Sequence, residues 1–325
     1  MPAAVESMAY VGQVPWHGLG EKVKPGVSAD AMLKAAGLDW EVATAKAKWE
    51  YTFRGKKRYR TSDQIQVLYR TDTGEDLSMV GPKYQPFQNH EILSFFQEYV
   101  ELGDAVIETV GSLNGGQHVW ALADLGVGYD VGTKRNPDQV QGKVLLLNPH
   151  LYGKAAILKM TEVRVVCWNT ATAALRDGNE SVRLWHNKEF NEERQEEAKR
   201  RLGIAREQLK AAEKEARLLS KTGLEDPIAI RVAAGVMRGD PENPEYEAQN
   251  RRTRRVLDLF WGEGMGADLP SASGTAWGLL NAVTQYLDHE YGRSVNNRLA
   301  YAWLGGGEAV KNRTRRALLE IAAKN

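Results

Sequence analysis

The chain has 325 residues, of which 42% are hydrophobic and 26% charged, and its formal net charge is +1. These are ordinary values for a folded globular protein and they exclude global disorder. The length allows one large domain or two ordinary ones. The near-neutral balance excludes a strong overall field toward nucleic acid or membrane, so any site for a polyanion must come from local patches.

A single cysteine, Cys167, excludes an intramolecular disulfide framework and a thiolate-rich zinc site. It lies in the apolar run Val165-Val166-Cys167-Trp168, which is typical of a buried, unreactive thiol. Residues 1–20 contain no basic segment followed by an apolar core, and no stretch approaches the roughly 20 apolar residues of a membrane span. We therefore expect a cytoplasmic protein without a membrane partner.

The first elements in chain order are short and β-rich. Ser28 is placed as the N-cap of a helix over 29–36 that ends at Gly37. From residue 40 to 80 apolar and polar residues alternate, with Arg54-Gly55-Lys56-Lys57 as a hairpin turn. A helix over 89–102 follows, because apolar residues recur there at helical spacing.

More strands are expected in the middle of the chain, over 105–112, 117–125, 144–147 and 163–167. The first two flank Asn114-Gly115-Gly116, the clearest hairpin signal in the sequence. Asn169 to Leu175 is interpreted as the start of a helix. The predicted class is α+β, with antiparallel β hairpins and packed helices in the N-terminal half, followed by a long charged helix and a helical C-terminal third.

Residues 187–222 have a different pattern, because apolar residues step alternately by four and three among many charges. This seam consists of Ala198, Leu202, Ala205, Leu209, Ala212, Ala216 and Leu219. Such a heptad pattern is typical of a short coiled coil or helical hairpin, and equally of one amphipathic helix packed on its own domain.

The C-terminal third is predicted to be helical. Ser273-Gly274-Thr275 opens a helix over 276–290, another covers 296–304, and a last one follows Gly305-Gly306-Gly307. We therefore divide the chain into an α+β core domain over 1–186, a charged heptad helix over 187–222, and a helical region over 223–325 that packs on the core.

No familiar catalytic, metal or cofactor motif is present. None of the six histidines is paired with another histidine or cysteine at metal-ligand spacing, and there is no Gly-x-Ser-x-Gly elbow. The triple glycine at 305–307 lacks the Lys-Ser/Thr of a phosphate-binding loop. We expect no metal and no cofactor. An unrecognised enzyme would have to use His150, Asn169 or the Asp288-His289 pair.

Clusters of basic residues are the remaining functional signal. One predicted hairpin interleaves cations with aromatic rings, at Tyr51, Phe53, Arg54, Lys56, Lys57, Arg58, Tyr59 and Arg60. This mixture suits single-stranded nucleic acid, because cations hold phosphates while bases stack on rings. Further clusters are Arg251, Arg252, Arg254 and Arg255, and then Arg313, Arg315 and Arg316. The alternative is that all of these are solvated faces or partners of the many glutamates.

Several stretches together resemble the phage/plasmid-like protein family known as domain of unknown function 932. They are Trp16-His17-Gly18-Leu19-Gly20, Gly111-Ser112-Leu113 with Gly115-Gly116 and Trp120-Ala121, Arg164 to Thr170, and Gly274-Thr275-Ala276-Trp277 with Asn281 to Tyr286 and Asp288-His289. An Asp-Gly is expected after His150, where this chain has Leu151-Tyr152-Gly153. The resemblance implies a mobile genetic element and a location in the host cytoplasm.

The leading hypothesis is a non-enzymatic protein that binds single-stranded DNA in phage or plasmid replication or recombination, similar in layout to annealing proteins of the RecT and Redβ type. We expect a homo-oligomer in which Lys56, Lys57 and Arg58 form one exposed strip beside at least one aromatic ring. Two alternatives remain, a phage protein that binds a host protein through its helical region, and an unrecognised enzyme.

Overall fold

The structure is a computed structural model of the chain, and it confirms the α+β class. It describes residues 5–12, 20–102, 105–164, 169–171, 182–184, 186, 205–237, 250–292, 301 and 306–324. Within those residues the named strands all precede residue 187, and the part after residue 204 is helical. Within these residues, the expected division into a β-containing first half and a helical C-terminal third is confirmed.

Two sheets make up the β structure, and their strands are β1 (Val5–Val11), β2 (Glu21–Val23), β3 (Val42–Phe53), β4 (Lys56–Arg70), β5 (Asp76–Val80), β6 (Val106–Leu113), β7 (His118–Asp130), β8 (Gln139–Pro149), β9 (Ala156–Arg164), β10 (Asn169–Ala171) and β11 (Val182–Leu184). The larger sheet has the order β10-β9-β8-β7-β6-β1-β2, with β11 also paired to β9. The smaller sheet has the order β3-β4-β5. All these pairs are antiparallel except β1 with β2.

The helices are α1 (Ala29–Ala35), α2 (Asn89–Leu102), α3 (Ala205–Lys221), α4 (Asp226–Val236), α5 (Arg251–Asp258), α6 (Ala276–Gln285) and α7 (Gly306–Ala322). Single wider turns continue α5 over Leu259–Glu263 and α6 over Tyr286–Glu290. None of the helices in the described ranges has both the length and the apolar composition that a bilayer crossing requires.

Local signals set several boundaries as predicted. The Ser28 hydroxyl accepts the Ala31 amide at 3.2 Å and so begins α1. The β6–β7 hairpin turns at Asn114, whose φ is 54°, and at two glycines that follow it with positive φ. Few residue types other than glycine and asparagine adopt this left-handed backbone cheaply, so the sequence itself specifies the turn.

One predicted helix is wrong. Asn169–Ala171 is strand β10, with Asn169 opposite Arg164 and Ala171 opposite Glu162. The outer edge of β9 would otherwise expose unpaired backbone groups, and pairing with β10 and β11 satisfies them. The predicted helix over 296–304, apart from residue 301, and the strand residues 165–167, which include Cys167, lie outside the described residues.

Helix α3 packs on its own chain. Of the predicted seam, Leu209, Ala216 and Leu219 are buried and Ala212 is half-buried, and α3 contacts α6, α7 and β7. The absence of a side chain at Gly142 makes room for Leu209, since a Cβ built there would lie 3.1 Å from the leucine Cδ2. The described seam is therefore an amphipathic helix face against its own domain, and the seam residues before Ala205 lie outside the described ranges.

A buried ion pair joins the large sheet to the C-terminal helices. Asp138, just before β8, accepts hydrogen bonds from Arg164 at the end of β9, with Nε–Oδ1 at 2.6 Å and Nη2–Oδ2 at 2.9 Å. The same carboxylate accepts from the Ser271 hydroxyl at 2.6 Å and from Trp277 Nε1 at 3.0 Å. Arg164 Nη2 also donates to the Gly266 carbonyl at 3.1 Å. Both charged side chains are essentially without solvent exposure, so these bonds replace their lost hydration.

We predict that Leu209→Asp destabilises the fold strongly. It removes a buried leucine and places a charge against Gly142, which costs at least about 3 kcal/mol in the free energy of unfolding. The matched control is Leu218→Asp on the exposed side of the same helix, for which we expect about 1 kcal/mol or less. Urea unfolding followed by circular dichroism measures both, and equal losses would show that α3 is not packed as described.

We also predict that Asp138→Asn costs about 3–5 kcal/mol, because it leaves the Arg164 charge buried without its partner. The control is Asp63→Asn, which breaks an exposed ion pair with Lys46 and should cost less than about 1 kcal/mol. Thermal denaturation of the two variants under identical conditions provides the comparison. An Asp138→Asn protein as stable as the Asp63→Asn protein would contradict the structural role of the pair.

Candidate nucleic-acid interface

A two-stranded ribbon extends from the smaller sheet. Strand β5 pairs with β4 only as far as Gln66, which lies opposite Val80, whereas β3 and β4 continue together to Phe53 and Lys56. Residues 46–66, which we call the arm, are exposed or half-exposed throughout. From Lys46 to Phe53 the arm is about 24 Å long, at roughly 3.4 Å per residue.

The tip of the arm is a two-residue turn. Arg54 has φ 52° and Gly55 has φ 71°, as a type I′ turn requires. Lys56 and Lys57, which the sequence analysis placed inside the turn, are the first residues of β4. This shorter turn decides the register of the arm and therefore which side chains share a face.

One face of the arm pairs each aromatic ring with a cation. Across the two strands, Trp49 lies opposite Arg60, Tyr51 opposite Arg58 and Phe53 opposite Lys56. Directly opposed residues of an antiparallel pair point to the same side of the sheet. We call these six residues the aromatic face.

Cations also lie diagonally over the rings of this face. The guanidinium carbon of Arg58 is 5.5 Å from the Phe53 ring centre, and that of Arg60 is 5.8 Å from the Tyr51 ring centre. Arg54 at the tip lies 5.2 Å from the same Phe53 ring. These distances are in the range of cation–π attraction. The charges are held beside the rings and remain open to solvent.

On the opposite face of the arm, a lysine and a tyrosine contact an acidic residue. Lys57 lies there, opposite Thr52, and forms an ion pair with Glu50 at 2.9 Å, while the Tyr59 hydroxyl donates to Glu50 at 2.8 Å. These two contacts, Lys57 first, lower the pKa of Glu50. The expectation that Lys56, Lys57 and Arg58 form one strip is therefore wrong for Lys57, because neighbouring strand residues point to opposite sides.

Positive charge is concentrated on the arm. Residues 46–66 contain seven lysines and arginines and two acidic residues, a net charge of +5, whereas the whole chain carries +1. The rest of the protein is therefore net negative, at −4. A polyanion that approaches the molecule is therefore attracted more strongly to the arm than to the rest of the protein taken as a whole.

The base of the arm contains an irregularity in β4. Between the pairs Lys46–Gln66 and Lys48–Thr61, two residue steps on β3 oppose five on β4. The Ser62 hydroxyl accepts two backbone amides of the extra segment, each at 3.0 Å. Such bulges increase local twist and re-aim a strand, so this one sets the direction in which the arm leaves the body.

The second predicted cluster lies on α5 and is largely committed to partners in the same chain. Arg255 is paired with Glu290 at 2.6 Å and with Glu263, and these bonds raise its pKa. Arg254 pairs with Asp258 at 3.0 Å, and Arg252 lies 5.4 Å from the Tyr291 ring centre. Arg251 is exposed. Because their charges are already compensated, Arg254 and Arg255 offer less to a polyanion than the arm does.

The third cluster, on α7, also has contacts within the chain. Arg315 is paired with Glu215 of α3, and Arg313 donates to the Val236 carbonyl at 3.4 Å. These contacts join three helices. The alternative interpretation offered above, that basic residues pair with glutamates, therefore describes this cluster better than the arm.

The residues proposed for an unrecognised enzyme do not meet in one described site. His150 is fully buried, its Nε2 lies 3.1 Å from Asn89 Oδ1, and burial lowers its pKa to about 3. Asp288 is buried in an ion pair with Lys311. Asn169 belongs to β10 at the sheet edge. In the described parts of the chain, no three histidine, cysteine or acidic side chains are grouped to hold a metal ion.

Trp49 is a member of the aromatic face that the clusters of basic residues in the sequence did not indicate. It is the third ring of the aromatic face and is 46% exposed. The signal was available, because Trp49, Tyr51 and Phe53 alternate along one strand and must share a face. The sequence pattern did not predict the two-residue turn, and it is this turn that places each ring opposite a cation.

Comparison with known proteins gives one match. The family model described as domain of unknown function (DUF932) matches residues 76–303, well over half of the chain. No curated protein and no solved structure matches the chain. The matched range includes the Asp138–Arg164 pair, Ser271 and Trp277, whereas the arm precedes it.

We predict that the arm can be removed without unfolding the protein. Lys46 and Gln66 are cross-strand partners, so an Asn-Gly turn can replace residues 47–65. None of those residues belongs to the hydrophobic core, and an isolated two-stranded ribbon adds little stability. We expect the Tm to change by less than about 3 °C. A larger fall, measured by circular dichroism, would mean that the arm packs on the body.

Proposed function

We propose that this chain, which belongs to the DUF932 family, binds single-stranded nucleic acid through the aromatic face of the arm. In our proposal it is encoded by a phage or plasmid and acts in the host cytoplasm during DNA replication or recombination. It needs no cofactor for this role and works as a homo-oligomer.

The observation that carries the proposal is the set of three opposed pairs of ring and cation. Trp49 with Arg60, Tyr51 with Arg58, and Phe53 with Lys56 repeat the same chemistry along an exposed ribbon. Phosphates bind the cations and bases stack on the rings, which is the usual combination in proteins that bind single strands. A solvated face with no ligand would not need three large rings in water.

The spacing of the rings favours a single strand over a duplex. Rings two residues apart on one strand are about 6.8 Å apart, because a strand rises roughly 3.4 Å per residue. Successive nucleotides within duplex DNA are separated by about 3.4 Å along the axis. Consecutive bases can therefore occupy consecutive rings only if the nucleic-acid strand is stretched and its bases are unstacked.

The rival role for the heptad helix has less support. The apolar residues of α3 that would contact a host protein are used within the chain, at Leu209, Ala216 and Leu219. The arm, in contrast, has unpaired cations and rings in solvent. We therefore base the proposed function on the arm alone.

The test is fluorescence anisotropy with a labelled oligonucleotide of about 20 nucleotides at low salt. In the variant Lys56→Glu, Arg58→Glu, Arg60→Glu, repulsion replaces attraction at the aromatic face, and we expect affinity to fall by about 100-fold or more. The control carries the same charge change away from the arm, at the exposed residues Lys22→Glu, Lys24→Glu and Lys134→Glu, and should lose much less.

A second variant separates stacking from charge. Trp49→Ala, Tyr51→Ala, Phe53→Ala should weaken binding by about 1–3 kcal/mol per ring without changing the slope of affinity against salt. Tyr59→Ala on the opposite face is its control and should have little effect. An unmutated protein that binds no oligonucleotide at low salt, or that binds duplex as tightly as single strand, would contradict the proposal.

A further inference from the structure

A cleft lies apart from the arm, where the loop after β5 meets the turn between β8 and β9. There Lys83, Tyr84, Tyr152, Lys154 and His186 line a cleft with a volume of about 410 Å³. The Tyr152 amide donates to the Ser78 hydroxyl at 3.2 Å, which ties the β8–β9 turn to β5. The cleft is thus framed by fixed elements.

Two polar groups of the cleft residues are buried without a hydrogen-bond partner, the Tyr84 hydroxyl and His186 Nε2. The two rings stack with centres 5.0 Å apart and planes 13° apart. The Phe87 amide lies 3.4 Å from His186 Nδ1 and donates to it. Neither atom is accessible to solvent, so neither the Tyr84 hydroxyl nor His186 Nε2 is offered to a ligand in the cleft.

The charge of the cleft is positive. Lys83 and Lys154 are both exposed, and neither forms an ion pair with any described residue. Of the described residues that line the cleft, none is acidic. Burial lowers the pKa of His186 to about 4, so that ring is neutral at pH 7 and the two lysines supply the charge. An anion is therefore the matching ligand.

An aromatic ring at the rim narrows the class of ligand. Tyr152 is 72% exposed, which makes it the most exposed large apolar or aromatic side chain in the described part of the protein. The neighbouring Gly153 has φ 69°, so the turn that presents the ring is held in a shape that glycine favours. A planar ring that stacks on Tyr152 can place an attached anion between the two lysines.

We propose that this cleft binds a nucleotide monophosphate group, with the phosphate at Lys83 and Lys154 and the base on Tyr152. The phosphate is held by side chains, in contrast to the glycine-rich loop of nucleoside triphosphatases. The ligand is either a free mononucleotide or the phosphorylated end of a strand, which present the same chemistry. This site is independent of the arm.

Isothermal titration calorimetry of the full chain with AMP, CMP, adenosine and inorganic phosphate tests the proposal. We expect AMP or CMP to bind one site per chain with a Kd of about 1 mM or tighter. Adenosine and phosphate should each bind at least about tenfold more weakly, because each makes only part of the contacts. Absence of AMP and CMP binding at low millimolar concentration would overturn the proposal.

Variants assign the binding to the cleft. Lys83→Ala with Lys154→Ala should weaken AMP binding by about tenfold or more, and Tyr152→Ala by several-fold. The control, Lys22→Ala with Lys134→Ala, removes two exposed lysines elsewhere and should leave the Kd unchanged. AMP binding that survives the cleft double variant would place the nucleotide elsewhere and reject this site.

The protein without its arm separates the two proposals. AMP should bind it as tightly as it binds the full chain, whether or not the arm binds oligonucleotides. With the same armless protein, a 5′-phosphorylated oligonucleotide that binds more tightly than AMP identifies a strand end as the ligand. An oligonucleotide that binds no better than AMP identifies a free mononucleotide. Loss of AMP binding on removal of the arm would contradict an independent cleft.

Discussion

The buried pair of Asp138 and Arg164 is the interaction on which the rest of the fold depends. Neither charge can remain unpaired away from water, and the carboxylate is satisfied only when Ser271 and Trp277 also reach it. The sheet contributes the ion pair and the C-terminal region contributes the other two donors. The hydrophobic core is likewise continuous from the N-terminal strands to α7. The two halves of the chain therefore stabilise each other, and the family match spans both.

The arm does not take part in this buried packing, and its composition differs from that of the body for this reason. Its residues lie outside the core, so seven cations and several large rings can occupy one ribbon without a cost in packing. A bulge in β4 aims the ribbon, and a two-residue turn aligns its rings with its cations. Elsewhere, arginines such as Arg255 and Arg315 are held by carboxylates between helices. Basic residues thus have two roles in this protein: arginines such as Arg255 and Arg315 join helices, and those of the aromatic face remain available to a polyanion.

The smaller sheet connects the arm with the cleft. Strands β3 and β4 form the arm, and the loop after β5 supplies Lys83 and Tyr84 to the cleft. The Ser78 hydroxyl, in β5, holds the turn that carries Tyr152. Both proposed sites combine cations with an exposed ring, the chemistry that suits phosphate joined to a base. A chain that uses both would contact a strand along its length and at its end.

The sequence by itself determined the features that depend on neighbouring residues. The Ser28 cap, the Asn114-Gly115-Gly116 turn, the bounds of α2 and the alternation of Trp49, Tyr51 and Phe53 could be predicted because each rests on local backbone preference or on the period of a strand. Tertiary structure decided what depends on distant partners. Asn169–Ala171 forms a strand because it pairs with the edge of β9. Asp138 accepts hydrogen bonds from Ser271 and Trp277, which lie more than 100 residues away in the sequence. Pairing across such separations is set by the packing of whole elements, which no local pattern records.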